Sequence, residues 1–383
     1  MYNKELLEQI YKEQGTQAAV DYLMDIRCKE GKEPRLYLPN GYANIRWMEK
    51  SGCTKIVIIG GRGTGKTFGI LDYLTDKKEP FIFMRRTRTQ IDICGTLEGN
   101  PFGSINRKKQ LAIEPRTNKY GYDFYNTHLE IDDNGERQVV EDDYTAFATS
   151  LTTFFNLRGV DLSVYRDLFF DEIVKEPLER RLKNESTGYL NAIETIQHNN
   201  ELEGKPPLRQ WLAGNSDTLD CGILQAVDAI SIIEKMKANQ QEVYINRERD
   251  IAVFDLYDSP ISKIKALTSL YKYNNNVEFT DMSLNNTFRD LSDKSIRSIP
   301  LQECSPIINL NDRICIYTIK GSPGWYITKH ISGTPSRYNL MSKEERVRWK
   351  KKWFDIYVNL SLQQLLYYDS FDTKVLFDSI IYS

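Results

Sequence analysis

Apolar positions recur along this chain with more than one period, and each change of period marks a change of element. Over residues 3–28, Leu6, Leu7 and Ile10, then Ala19, Val20, Leu23 and Met24, return at three- and four-residue spacing, which predicts one or two helices. A loop rich in glycine, proline and asparagine follows from Gly31 to Asn44. The short, β-branched run Lys55–Ile59 predicts a buried strand, with helical sequence directly behind it from Lys66 to Leu74. Phe81–Met84 predicts a second strand, Leu168–Asp171 a third that ends in two acids, and Leu208–Ala213 a fourth. Tyr189–Gln197 reads as a helix between the last two. Strands alternating with helices predict an α/β fold with a mainly parallel sheet.

Residues 95–145 interrupt that alternation. They are polar and aromatic, with turn signals at Asn118–Gly121 and Asp132–Gly135, and predict a strand-rich insertion containing a hairpin. Beyond about residue 225 the texture changes again, to helical stretches, the polar segment Tyr271–Asp293, and strand-like runs at Arg313–Ile319 and Gly324–Ile331. The expected division is a domain over residues 1–225 with an N-terminal helical extension, a linker over 226–250, and a smaller α+β domain over 251–383.

Composition narrows the classes without choosing among them. A chain of 383 residues suits two domains at roughly 100–200 residues each. Its 40% hydrophobic and 27% charged residues exclude wholesale disorder. There is no apolar run of about 18 residues to suggest a membrane span. The opening MYNKELLEQIYKEQ lacks an apolar signal core, so a cytoplasmic protein is expected. The six cysteines and three histidines are scattered without metal-ligand or disulfide spacing, and reduced, structural cysteines are expected. A net charge of −2 does not advertise nucleic-acid binding, so any such surface must come from local clusters or from assembly.

Chemistry concentrates in one stretch. Gly60-Gly61-Arg62-Gly63-Thr64-Gly65-Lys66-Thr67 matches GxxxxGK[ST] in full, directly after a predicted strand and before a predicted helix. The glycines let backbone N–H groups wrap a phosphate, and the helix N-terminus adds its positive end. Lys66 supplies a charge to the β/γ-phosphates, and the Thr67 hydroxyl ligates Mg²⁺. The third strand delivers Asp171, expected on Mg²⁺, and Glu172, expected to polarise the attacking water. Acids 105 residues after Lys66 in the same alternating pattern point to ATP hydrolysis. GTPases usually carry an NKxD motif, and none is found.

Other residues admit two readings each. Asn215, after the fourth strand, is either a γ-phosphate sensor or part of a plain Gly214-Asn215 turn. Arg85, Arg86 and Arg88 are either a solvated basic strand end or a DNA-tracking edge in a ring. Arg158 is either a surface residue or an arginine finger for a neighbouring subunit. Ser342 to Glu345 reads as a capping box opening a helix with Arg348, Lys350, Lys351, Lys352, Trp349 and Trp353. That helix is either a solvated basic face or a contact for DNA, RNA or a portal.

Taken together, GGRGTGKTFGILDYL, FIFMRRTRTQI, LFFDEIVKE and LAGNSD resemble the DNA encapsidation ATPases of phi-29-like podoviruses. The resemblance spans about residues 55–220 by motif and the remainder more loosely. It implies a RecA-like ASCE P-loop ATPase domain and a C-terminal domain like a vestigial ribonuclease H-like nuclease. It also implies a homo-pentameric ring that drives double-stranded DNA into a procapsid. That ring would dock transiently on the portal protein in the host cytoplasm, with a packaging RNA or equivalent scaffold, and would be absent from the mature virion. Arg62 matches the family's P-loop arginine, Arg88 a DNA-contacting position and Arg158 a position used in trans. The family's second candidate finger has no counterpart, since that region reads Gln197-His198-Asn199; Arg158 or another residue such as Arg209 would then serve. The N-terminal 50 residues are longer than the family leads one to expect. They form either an adenine pocket, with Tyr42 or Trp47 stacking, or a subunit contact.

Three other functional classes remain beside this one. They are a helicase or AAA+ remodeller, a P-loop kinase, and a nucleotide-gated binding protein without substantial turnover.

Overall fold

The strand that leads into the P-loop lies within a broad sheet, and its composition follows from that position. In the computed structural model β1 is Lys55–Ile59, β2 Phe81–Arg85, β3 Ile113–Asn118, β4 Gly121–Ile131 and β5 Arg137–Ser150. They are followed by β6 (Asp167–Asp171), β7 (Arg209–Gly214), β8 (Val243–Asn246) and β9 (Ile251–Asp255). The sheet order is β3-β4-β5-β2-β6-β7-β1-β9-β8. The six strands from β5 to β9 in that order are parallel, while β3, β4 and β8 add antiparallel edges. Strands covered on both faces read as continuous apolar runs, which is why β1, β2 and β6 carry no alternation. The structure describes residues 2–131, 137–154, 156–157, 160–176, 179, 182–216, 218–272 and 294–382.

One face of this sheet packs Ile56, Ile58, Phe83, Phe169, Trp211 and Phe254 with Ile70, Leu71 and Leu74 of a helix. The predicted mainly parallel α/β fold is therefore present. So is the insertion, as the hairpin β4–β5 with β3 on its outer side; the turn signal at Asp132–Gly135 lies outside the described residues.

The N-terminal helix α1 (Lys4–Lys29) is one element with a kink, where Gly15 adopts φ 87° and ψ −172°. Few residues other than glycine reach that conformation, which accounts for the choice between one helix and two. A short helix α2 (Ile45–Glu49) then precedes β1.

The expected domain boundaries require correction. The chain divides into two units, the first comprising residues 1–177, 187–217 and 235–288, the second residues 178–186, 218–234 and 289–383. Residues 226–250 are not a linker, because Ile230–Ala238 is helical and β8 follows. Residue 251 does not open a new domain, because β9 pairs in parallel with β1 from Lys55↔Ile251 to Ile59↔Asp255.

The second unit has its own sheet of β10 (Cys304–Leu310), β11 (Ile314–Ile319), β12 (Trp325–Thr328), β13 (Ser336–Tyr338) and β14 (Leu366–Tyr368). Its order is β13-β10-β11-β12-β14, an antiparallel meander with a parallel strand on each edge. Ile308, Ile316, Trp325 and Ile327 pack with Trp349, Tyr357 and Phe377, completing the smaller α+β domain expected. The capping box expected at Ser342 is not formed. Ser342 makes no side-chain cap, and the Glu345 carboxylate instead accepts from the Asn339 backbone N–H. None of the six cysteines is in a disulfide, and Cys28 alone is exposed. Among the described residues no helix is long and apolar enough to cross a membrane.

Candidate nucleotide site

β1 carries the chain into residues 60–67, and helix α3 (Lys66–Lys77) begins at their end with Gly65 as its N-cap. Two glycines here hold left-handed backbone, Gly63 at φ 78° and Gly65 at φ 90°. A third, Gly60, sits where a Cβ would lie 2.9 Å from Leu256, so this loop tolerates no larger residue. The Lys66 ammonium is buried inside the loop, donating to the carbonyls of Gly60 (2.7 Å) and Gly61 (2.9 Å). It also reaches Asn215 Oδ1 at 3.4 Å. Asn215 is thus placed beside the P-loop lysine, because β7 lies between β1 and β6 in the sheet.

β6 is buried along its whole length and ends at Asp171, itself 2% exposed. The Thr67 hydroxyl lies 3.0 and 3.1 Å from the two Asp171 carboxylate oxygens. This all-oxygen pair fits Mg²⁺, which takes one or two protein ligands and completes its shell with phosphate and water. Burial pushes the Asp171 carboxyl above its usual pKa, and the Arg85 guanidinium, 2.8 Å away, pulls against that shift. The next residue, Glu172, has φ 56° and a half-exposed carboxylate that pairs with the same Arg85. A non-glycine residue in left-handed backbone is uncommon, and Glu172 takes it directly where β6 ends. Arg62 pairs with Glu176 across the mouth of the loop.

These groups surround a cavity of about 370 Å³ whose lining includes Arg62, Thr64, Lys66, Asp171, Glu172 and Asn215. The arrangement offers charge and N–H donors for a polyphosphate, oxygens for a divalent cation, and a carboxylate near solvent to accept a proton.

The arginines fall out differently from expectation. Arg85 and Arg86 do not form a DNA-tracking edge: Arg85 is turned inward onto Asp171 and Glu172, and Arg86 is 1% exposed. Arg88 is partly exposed at the start of helix α4 (Arg88–Cys94), paired with Asp92 at 2.8 Å. Arg158 lies outside the described residues. Arg209 stands at the first position of β7, the end away from the P-loop, and pairs with Glu49. Trp47 is half-buried against the core, edge-on to Phe254 at 5.8 Å and with the Arg35 guanidinium 5.6 Å from its ring centroid. The residue that sequence reasoning missed is Arg85 as a partner of the two acids. The contact follows from the sheet order, since parallel neighbours β2 and β6 pair Met84 with Phe170 and so bring Arg85 beside Asp171.

No protein-family model matches the chain, and no curated protein matches it in sequence. Solved structures do match. The Phi-28 gp11 DNA packaging motor superposes with a TM-score of 0.58 at 17% identity, over 88% of this chain and 96% of that one. The bacteriophage Phi-29 viral genome packaging motor assembly gives 0.55 at 13% identity, over 88% and 99%. The chain has the fold of the phage packaging motors. That fold, with its P-loop β1 and acid-bearing β6, accounts for the mainly parallel sheet and for the order in which the motifs follow one another.

Proposed function

We propose that this chain is an ATPase that drives double-stranded viral DNA into a procapsid, working as a subunit of a homomeric ring docked on the portal. The observation that carries this reading is one cavity lined by Lys66, Thr67, Asp171, Glu172 and Asn215, in a chain that shares the packaging-motor fold over 88% of its length. In this reading the P-loop N–H groups and Lys66 hold the β- and γ-phosphates, and Thr67 and Asp171 hold Mg²⁺, which supplies neutralising charge as the terminal phosphoryl group transfers. Glu172 accepts the proton of the attacking water as the new O–P bond forms and the bond to the bridging oxygen of ADP breaks. Asn215, in contact with Lys66, senses loss of the γ-phosphate.

The same reading keeps Arg158 as the finger offered to a neighbouring subunit and Arg88 as the remaining DNA contact of the three arginines. It gives the second unit the role of a nuclease-like domain without nuclease activity, with a packaging RNA or equivalent scaffold tethering the ring in the host cytoplasm. In the second unit Asp312, the acid next to the strand-like runs, is taken up by Arg337 and Asn309.

Steady-state ATP turnover with and without double-stranded DNA tests this. DNA should stimulate turnover. Glu172→Gln should lower it by about 10²–10⁴-fold while ATP still binds. Arg158→Ala should lose turnover in a way that mixing with Glu172→Gln subunits restores. Turnover indifferent to DNA and to Arg158→Ala would replace the motor with a nucleotide-gated protein or a kinase.

A further inference from the structure

Three successive carbonyls of the P-loop are taken up by two different lysines. Those of Gly60 and Gly61 accept from Lys66, inside the loop, at 2.7 and 2.9 Å. The next, that of Arg62, accepts instead from the Lys265 ammonium, 203 residues further along the chain, at 3.1 Å. Arg62 and Gly63 line the phosphate cavity and Lys265 does not, so this second lysine approaches the loop from its outer side. A trans peptide holds its C=O and N–H on opposite sides. With the Arg62 carbonyl drawn outward, the Gly63 N–H of the same peptide faces away from Lys265. We propose that Lys265 is a positioning residue for the nucleotide: by fixing the Arg62 carbonyl outside the loop, it keeps the Gly63 N–H turned inward onto a phosphate oxygen. The proposal rests on the nucleotide reading of the P-loop and adds to it a residue far from the motif that sets one of its donors.

This peptide is the one in the loop that most needs holding. Gly63 has φ 78°, and a peptide that precedes a left-handed glycine can rotate as a unit between two turn forms. Its two orientations aim the N–H to opposite sides, and only one of them serves an anion inside the loop. The Arg62 side chain is tied to Glu176, which leaves its carbonyl to be fixed separately. Lys265 is well placed to fix it. The short helix Pro260–Lys265 is anchored through Ile264, which packs with Leu7, Ala19, Val20 and Leu23 of α1. Just before it, the Leu256 N–H donates to the Ile59 carbonyl at 2.8 Å, and the Leu256 side chain closes on Gly60. The Lys265 ammonium lies 5.4 Å from the Tyr271 ring centroid, and a Cβ at Gly63 would stand 3.2 Å from its Nζ. A charged donor makes the stronger kind of hydrogen bond, and by polarising the peptide it makes the N–H at the other end a better donor.

Titration calorimetry of the full chain with Mg²⁺ and ATP, beside NMR of chain labelled with ¹³C-carbonyl arginine and ¹⁵N-glycine, tests the assignment. The Arg-Gly pairs of the sequence are 62–63 and 158–159, so carbonyl-to-amide correlation isolates peptide 62–63, and Gly159→Ala assigns it. In wild type, ATP should move the Gly63 amide proton downfield. Lys265→Met should shift the Arg62 carbonyl resonance even without nucleotide, shrink the amide response, and weaken ATP about tenfold, equivalent to about 1.4 kcal/mol. Lys265→Arg keeps a charged donor and should restore both affinity and amide response. Wild-type ATP affinity in Lys265→Met would overturn the proposal. So would a loss of affinity with the Gly63 amide response intact, because Lys265 would then act by some route other than this peptide. Failure of wild type to bind ATP at all would instead overturn the nucleotide reading itself.

Discussion

Arg85 carries the most consequential surprise among single residues. It reads in the sequence as one of three basic residues at a strand end, and in the fold it closes on both acids of the site. Removing it leaves Asp171 buried without its strongest opposing charge, so the carboxyl pKa, already raised by burial, rises further. Arg85→Gln should therefore raise the Mg²⁺ concentration needed for half-maximal turnover. The defect should be worst at low pH and lessen as pH rises, because only the ionised carboxylate binds the cation. Turnover measured across Mg²⁺ concentration at several pH values checks this, and an Mg²⁺ requirement unchanged by the substitution would confine Arg85 to holding Glu172. The P-loop, Asp171 and Glu172 were legible because their chemistry is written in contiguous residue types. The partnership of Arg85 was not, since it depends on which strand lies beside which.

Among elements, α1 shows how a polar-looking segment is held. Its Arg27 is 1% exposed and donates to Glu242 (2.8 Å) and Asp258 (2.8 Å), with the guanidinium carbon 4.6 Å from the Tyr37 ring centroid. A buried pair broken on one side leaves an uncompensated charge, which costs about 3–5 kcal/mol. Arg27→Met should lower the unfolding free energy by about that amount in urea titration. Combining it with Glu242→Leu should recover part of the loss, since Arg27 and Glu242 are then both gone and Asp258 keeps Lys32 and Lys263. Sequence pattern located α1 from its apolar spacing, but nothing in that spacing distinguishes Arg27 from the solvated cations around it. The same limit explains the misplaced domain boundary. Ile251–Asp255 is a buried apolar run of the same kind as Leu168–Asp171, but its distance along the chain from β1 hid their pairing.

For the whole molecule, that pairing decides what can be cut. A fragment ending at residue 250 would keep the P-loop, Asp171, Glu172 and Asn215, yet it lacks β9 and leaves β1 an open apolar edge. It should show no cooperative thermal transition by circular dichroism and should aggregate, whereas the full chain should melt cooperatively; a well-folded, nucleotide-binding fragment would refute this. The packaging-motor fold is matched at 17% and 13% identity, so most aligned residues differ within a shared fold. What survives to be read in one sequence is the order of the motifs. The placement of exposed cations is not recoverable from a net charge of −2.

The position of β1 also sets a timetable. It is complete once residue 59 is made, but its two neighbours end at residues 214 and 255. At synthesis rates of roughly 5–20 residues per second, the nascent chain carries this apolar, β-branched segment without its sheet partners for on the order of ten to forty seconds. Until the ribosome has passed residue 255, the strand that will anchor the phosphate loop needs shelter.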